Sequence, residues 1–527
     1  MESNVCREAR MEKQIAIIGG GISGLAACKY SLSKGFKPIV FEAKNEIGGV
    51  WAKTIKTCCL QTPKQDYQFS DFPWPDSVQE FPTQQQVMDY LHSYAQHFDL
   101  LKHIKFNTKV VSIDYEGSSE EEMKSWSLWG SNGEAFSSNG KWNVQVQHNE
   151  TLFTQVCKVE FVIVCTGWAS DVPKIPQFPP EKGPEVFGGK VIHSMDYYAM
   201  DHERASNFIK GKKVAVVGFQ KSALDIAMEC SAQNGFENPC TVLYKTAHWH
   251  ISDVFPWGVP LKFLYLNRFS ELLVHKPGES FLLNLLATLL SPLRWATAKF
   301  VESHIKHKHH LEKYGMIPKH GFCAQISSCL LTKLPQNFYD KVEEGSIILT
   351  KAPKFSFCKQ GIMIDGQDQP LEIDIVILAT GFKGDEKLRD IFQSKFFQEC
   401  IIGSPDSALP LYRECINPRI PQLAVVGFAS LSIMFSSDIK CKWLAELLDG
   451  KFKIPSIKEV EKDVKEWGKF KKKYAGPYYR KSCIGSIHIW YNDQLCKDMG
   501  WNPKRKKGIF AELFEPYGPQ DYVLASY

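Results

Sequence analysis

Gln14–Ile18 (QIAII) is a short apolar run closed by glycines, the pattern of a strand buried on both faces of a parallel sheet. Gly19, Gly21 and Gly24 follow in G-x-G-x-x-G spacing. Leu25, Ala26 and Ala27 then open a helix, and a second strand over Pro38–Phe41 ends in Glu42, so the stretch reads as one βαβ unit. The pattern recurs in GKKVAVVGFQKSALDIAMECSA. There the strand covers Lys213–Val217, the turn Gly218–Ala223 and the start of a helix Ser222–Glu229; the next strand, Thr241–Tyr244, ends at Lys245. Two more apolar runs, FVIVCTGW (Phe161–Trp168) and DIVILATGF (Asp374–Phe382), read as strands ending in Thr-Gly. They lie on either side of the second unit, where the chain would cross between two nucleotide domains. LAVVGFASL adds a strand with a turn at Gly427, and a helix is expected to start near Ser437–Asp438 with Ile439, Trp443 and Leu447 on one face.

At 527 residues the chain has room for about two to four domains. Hydrophobic residues make up 44% and charged residues 23%, the balance of a globular protein, and the formal charge is 63 − 58 = +5. So small an excess gives no dense basic face, and nucleic acid is excluded as a partner. The most basic run, KFKKKY (Lys469–Tyr474), reads as a solvated helix face. The 16 cysteines include no Cys-x-x-Cys pair, which predicts reduced thiols in a cytosolic-type compartment and no zinc site. His307 and His310 stand one helical turn apart without an acidic or cysteine neighbour, so no metal is expected there. The N-terminal residues carry no apolar signal region. FLLNLLATLLSPL (Phe281–Leu293) is too short for a span of about 20 residues and is interrupted by Pro292; it reads as a buried or interfacial helix. A cytoplasmic location is expected, with peripheral contact at the endoplasmic-reticulum membrane left open.

The chemistry of the two turns differs. In the first, Gly19 makes the tight bend, Gly21 admits a pyrophosphate to the backbone, and Gly24 lets helix and strand pack closely. Gly20, Ile22 and Ser23 complete a helix N-terminus that offers amides and a positive dipole end to an anion. Glu42, 23 positions after Gly19, can accept hydrogen bonds from an adenosine ribose. The loop Asn45–Trp51, with Gly49 and Trp51, can lie against an extended cofactor. In the second unit Lys245 stands where the first has an acid, and Lys221 adds charge on the turn, so a 2′-phosphate is attracted and NADP is preferred. Gly218, Phe219, Ser222 and Ala223 frame this turn. Gln220 fills the slot normally held by glycine, so the unit is either a looser NADPH site or one that has decayed into structure.

Phe187, Gly189, His193 and Tyr197 in FGGKVIHSMDY match the pattern F-x-G-x-x-x-H-x-x-x-Y, LATGF supplies the second Thr-Gly motif, and DYQFSDFPWP covers Asp66–Pro75. With these, the chain resembles the plant flavin-containing monooxygenases over nearly its whole length, nearest the clade containing the plant pipecolic acid N-hydroxylase. The resemblance implies an α/β fold with two Rossmann-like dinucleotide-binding domains. A discontinuous FAD domain, 1–170 and 335–527, would enclose an NADPH domain, 171–334, whose stretch 251–335 roofs the substrate cavity. The helix after Gly427 would turn its N-terminal end toward the flavin ring.

The implied cofactors are FAD and NADPH, and the implied chemistry is hydride transfer to flavin, a C4a-hydroperoxyflavin formed with O2, and oxygen transfer to a soft nucleophile. N-hydroxylation or N-oxidation of an amine or amino acid leads; S-oxygenation of a thioether, or a non-catalytic NADP-sensing flavoprotein, is the alternative. Two catalytic positions are implied. Gln61 in CLQTPK stands where many relatives carry an asparagine near the flavin hydroperoxide, and His193 is either a chemical group or a residue fixing the path between domains. Gln61 and Gln220 depart from the pattern, yet coupling of NADPH oxidation to product is expected to survive. A flavin disulfide reductase would need a workable cysteine pair, and only adjacent Cys58 and Cys59 are at hand. A Baeyer–Villiger oxygenase would carry a longer His193 segment ending in Trp-Pro.

Overall fold

The structure, a computed structural model, describes residues 13–136, 139–428, 433–481 and 484–523. Two entirely parallel five-stranded sheets form its frame. The first has the order Leu423–Val425, Phe161–Val164, Gln14–Ile18, Lys37–Phe41, Ile104–Lys105; the second has Ile347–Lys351, Cys240–Tyr244, Val214–Val217, Ile375–Leu378, Lys190–His193. The continuous apolar runs become fully buried strands, as parallel packing under helices on both faces requires.

The same arrangement occurs in both sheets. A strand carrying a glycine turn is flanked on one side by the next strand of its βαβ unit and on the other by a Thr-Gly strand. Helix α1 (Ile22–Ser33) follows the first glycine turn and helix α2 (Lys221–Asn234) the second. Strand order reverses between Gln14–Ile18 and Phe161–Val164, and again between Val214–Val217 and Ile375–Leu378. These switch points are where open α/β sheets leave a crevice for a ligand. The architecture is two Rossmann-like domains, one inserted in the other.

The chain leaves the first sheet after Val164 and returns to it with Leu423–Val425, so both Thr-Gly strands precede crossings as expected. The boundary expected at 334/335 differs. Ile347–Lys351 pairs with Cys240–Tyr244, and Ile375–Leu378 lies between Val214–Val217 and Lys190–His193, so the second sheet continues to Leu378. Long-range pairing decides this, and the local pattern of those strands carries no mark of it.

Residues 252–331 form an excursion from the second domain, closed where His250–Ile251 pairs in parallel with Thr332–Lys333. It includes helices α3 (Arg268–Leu272), α4 (Phe281–Leu289) and α5 (Ser291–His309). Within α4 only Ala287 is buried, which overturns the buried-helix alternative. No single helix among the described residues is long and apolar enough to cross a membrane, although α4 and α5 together form one bent apolar pair.

Helix α6 (Ile433–Leu448) packs on α1 and buries Ile439, Trp443 and Leu447. It begins before the expected Ser437–Asp438, and the residues expected to lead into it, 429–432, lie outside the described residues. Two sequence expectations change here. Lys471 of the basic run is buried against Glu414 rather than solvated. Cys329 is disulfide-bonded, whereas Cys58, Cys59 and the other described cysteines are free, so the thiols are not all reduced.

Candidate functional site

At the first turn, Gly24 sits directly on the Gly19 carbonyl oxygen, in space that even a methyl would fill. Gly21 caps α1 without a side-chain hydrogen bond, and the first turn of the helix has no acid. The capping box of Thr83 on helix Gln84–His97 shows the contrasting, self-satisfied arrangement. The amides of Ile22 and Ser23 are therefore left for an anion. Gly21 and Gly49 face each other backbone to backbone, with a Cβ at Gly49 coming 3.3 Å from the Gly21 Cα, and Gly48 N donates to Gly20 O at 3.1 Å.

Glu42 ends its strand as expected, but its carboxylate already accepts from Gly20 N at 2.6 Å and Lys44 N at 2.9 Å. Each oxygen retains a lone pair for a ribose hydroxyl. Trp51 donates through Nε1 to the Tyr67 hydroxyl at 2.8 Å, and its carbonyl receives Gln84 Nε2. Ser23 turns its hydroxyl away from the turn, to Ser437 on α6 at 2.8 Å.

At the second turn, a Cβ on Gly218, at φ +138°, would come within 2.5 Å of the Ala379 carbonyl just past the second Thr-Gly strand. Ala223, five residues on, takes the place that Gly24 has in the first turn. Phe219 is a core residue packed at a tilt against Tyr244 and His250, so its contribution to the turn is backbone only. Lys221 is not a free positive charge: its ammonium lies 2.6 Å from Asp225, buried one helical turn on. Ser222 offers its carbonyl to the Tyr198 hydroxyl. Lys245 lies exposed at the end of its strand and makes no ion pair among the described residues, so its charge remains available to an anion.

The structure brings the two glutamines to one short strand, which no sequence pattern announces. Gln220 Oε1 accepts from the Thr332 hydroxyl at 2.5 Å, and Gln61 Oε1 accepts from Lys333 N at 3.1 Å. The amide at 220 is thus held aside by a tether, while its Nε2 is buried without a partner. Thr57 reaches Glu229 of α2 at 2.9 Å, so the segment bearing Gln61 also touches the second domain directly. Thr332→Val keeps the shape of the side chain and frees the Gln220 amide. We expect the dissociation constant of NADP+, measured by calorimetry, to rise about tenfold, the equivalent of one lost hydrogen bond, with flavin content unchanged.

His193 is separate from this junction. It ends the strand paired with Ile375–Leu378, lies opposite Leu378, and packs edge-on against Phe382 at 5.3 Å. Its Nδ1 accepts from Met195 N at 3.1 Å, capping the next helix. Burial lowers its pKa, partly offset by the Gly381 backbone and Asp196, so the ring is neutral at pH 7. These contacts support the path-fixing role.

Sequence reading also missed a polar cluster under the first turn. Asp438 of α6 accepts from the Tyr30 hydroxyl at 2.8 Å and Ser70 N at 3.3 Å, and pairs with Lys442 at 3.2 Å. The i,i+4 spacing of Asp438 and Lys442 was the available signal.

The profile described as "Flavin-binding monooxygenase-like" matches residues 12–512. The chain belongs to this family. As a flavin-containing monooxygenase it is 41% identical over 518 residues to "Probable flavin-containing monooxygenase 1" of Arabidopsis thaliana, covering 97% of this chain and 96% of that one. It is 37% identical over 496 residues to "Putative flavin-containing monooxygenase 2" of the same plant, covering 93% and 98%. Human "Flavin-containing monooxygenase 3" is 28% identical over 519 residues, with 94% and 84% covered.

Two solved structures share the fold. S-allyl-L-cysteine S-oxygenase from Allium sativum has a TM-score of 0.57 at 17% identity over 93% of this chain and 89% of its own. Oxidized steroid monooxygenase bound to NADP scores 0.63 at 18% identity over 93% and 98%. The flavin-containing monooxygenase described here is an NADPH-dependent oxidoreductase with FAD and NADP as cofactors. Its turns fit them: the Gly21–Gly49 cleft and the open end of α1 suit the FAD pyrophosphate, and the uncapped α2 with exposed Lys245 suits NADPH.

Proposed function

We propose that this monooxygenase oxygenates the nitrogen of a small amine or amino acid. When bound, NADPH would supply the reducing equivalents and FAD would pass them to O2, the source of the transferred oxygen; the chain supplies seats, orientation and exclusion of water. Gly19, Gly21, Gly24 and the open end of α1 hold one pyrophosphate. Gly218, the first turn of α2 and Lys245 hold the other carrier. Gln61, fixed by Lys333, presents its amide from the junction between the two seats. His193, neutral and capping its helix, keeps the path between the domains in place.

One observation carries the choice of nitrogen. The two α2 carboxylates beside the junction are already engaged, Asp225 with Lys221 and Glu229 with Thr57 and Tyr197. Neither of these two acids is free to favour the ammonium form, and an amine gives up its lone pair only when neutral. The test is NADPH oxidation by the flavin-loaded enzyme with a panel of amines, amino acids and thioethers, oxygenated product being measured beside peroxide. Product with amines and little peroxide is the expected result. Peroxide equal to NADPH consumed with every amine would overturn the reading, and product from thioethers alone would move it to sulfur.

A further inference from the structure

Lys333 carries a charge that the fold leaves without a counter-ion. It belongs to the short strand Thr332–Lys333, and its backbone N–H is the donor that holds Gln61 Oε1 at 3.1 Å. Its side chain turns to the same part of the first domain: the ammonium lies over the Phe81 ring, 2.9 Å from the centroid. Phe81 runs alongside the stretch that bears Gln61, because Leu60 N donates to Pro82 O at 2.8 Å and Gln84 N to Cys58 O at 2.9 Å. One residue therefore fixes the amide through its backbone and sets a positive charge beside it through its side chain.

The groups that face this ammonium do not neutralise it. Burial lowers its pKa from the ordinary lysine value; Cys59, Glu80 and Asp253 pull it back up, and Lys221 adds to the fall. Lys221 is engaged with Asp225, and Asp253 with Lys308. Glu80 is exposed, where water and salt screen its charge. Lys333 itself makes no ion pair among the described residues. An aromatic face offsets only part of the lost hydration of an ammonium, so an anion brought to this spot would be held.

The nucleotide phosphates have their own seats, at the open N-terminal ends of α1 and α2. Lys333 faces instead the wall that carries Gln61. In an α-amino acid the nitrogen is two bonds from the carboxyl carbon, so a carboxylate on Lys333 leaves the nitrogen close to the Gln61 amide. A simple amine brings no anion and is a cation at neutral pH, which the same ammonium repels. Once the acid is bound, the Lys333 charge also opposes protonation of its nitrogen and so leaves the lone pair free.

Resting on the reading of a small amine or amino acid as substrate, we propose that Lys333 is the specificity-determining residue that selects amines bearing a carboxylate, which its ammonium pairs with beside Gln61.

The test compares the parent, Lys333→Met and Lys333→Arg on pairs that differ only in the carboxylate: phenylalanine with phenethylamine, proline with pyrrolidine, and S-methylcysteine with 2-(methylthio)ethylamine. Calorimetry on the FAD-loaded, NADP+-saturated full chain gives the affinity of each member, and product formed with NADPH gives kcat/KM. Flavin content checks that each variant folds. The parent should prefer the acid in at least one pair. Lys333→Met should lower that acid-to-amine ratio about 10- to 100-fold, the loss of one hydrogen bond to a charged group, while Lys333→Arg keeps most of it. NADP+ affinity should be the same in all three proteins.

Equal binding of acid and amine by the parent, or a ratio that Lys333→Met leaves unchanged, would overturn the proposal. So would weaker NADP+ binding by Lys333→Met, since the ammonium would then serve a nucleotide phosphate. Product from the sulfur pair alone, with the ratio still set by Lys333, keeps this proposal and removes the choice of nitrogen. Product from amines regardless of the carboxylate does the reverse.

Discussion

Gly24→Ala is expected to give a protein that folds its second domain but no longer retains flavin. The added methyl would have to occupy the position of the Gly19 carbonyl oxygen, which is backbone and has no rotamer to yield. Either α1 moves off the strand Gln14–Ile18 or the turn at Gly19, held at φ +109° between strand and helix, deforms. Overpacking of this kind costs about 3 kcal/mol at a site that can partly relax, and here it falls on the amides of Ile22 and Ser23 that face the pyrophosphate. The measurement is the ratio of flavin to protein absorbance after purification, with NADP+ binding as the control for the second seat. The second turn supplies the comparison. Ala223 occupies the corresponding position there, buried, with its N–H bonded to Gln220 O at 2.9 Å, so Ala223→Gly should leave both cofactors bound. Normal flavin content in Gly24→Ala would remove the close-packing argument.

The second large effect is on stability. Asp438→Asn should destabilise the protein by about 3–5 kcal/mol in urea unfolding, because it leaves the Lys442 ammonium buried beside Tyr30 and Ser70 without its counter-charge. The asparagine oxygen can still receive the Tyr30 hydroxyl, so the loss isolates the charge pair. Burial pushes the Asp438 carboxyl up, but Lys442, Ser70, Tyr30 and Lys29 together hold it below the usual aspartate range. A carboxyl whose folded pKa is depressed stabilises above its unfolded value of about 3.9, and that contribution disappears as pH falls through the folded value. The stability gap between parent and Asp438→Asn should therefore be constant from neutral pH down to about 4 and narrow below it. A gap that instead closes between pH 7 and 5 would assign the effect to another group.

Much of the frame was legible because parallel strands announce themselves. Gln14–Ile18 matches its expected range, and Val214–Val217 and Cys240–Tyr244 match theirs to within a residue, since continuous apolar runs bounded by glycine have few other uses. The Thr-Gly strands were readable for the same reason, together with their place before each crossing. Sheet membership was less so: Ile347–Lys351 looks like any short strand, and its place beside Cys240–Tyr244 depends on contacts a hundred residues apart. Within the site, glycines could be assigned from backbone demands, whereas side chains could not. Lys221 carries a local clue in Asp225 at i+4, but the tethers of Gln61 to Lys333 and Gln220 to Thr332 cross 272 and 112 residues and leave no periodic trace. Exposure of α4 was equally hidden, because composition states how apolar a helix is and not which neighbours it has.

The pairing of His250–Ile251 with Thr332–Lys333 gives the excursion a clean seam. A chimera that exchanges residues 252–331 for another sequence, and so re-tailors what the enzyme admits, must preserve these four positions together with the Arg268 anchor to Asp493 and Glu512 and the Trp249 contacts with His320 and Gln325. Cut one residue further along, the same graft would replace Thr332 and release Gln220, while Gln61, held by the Lys333 backbone N–H, would keep its anchor.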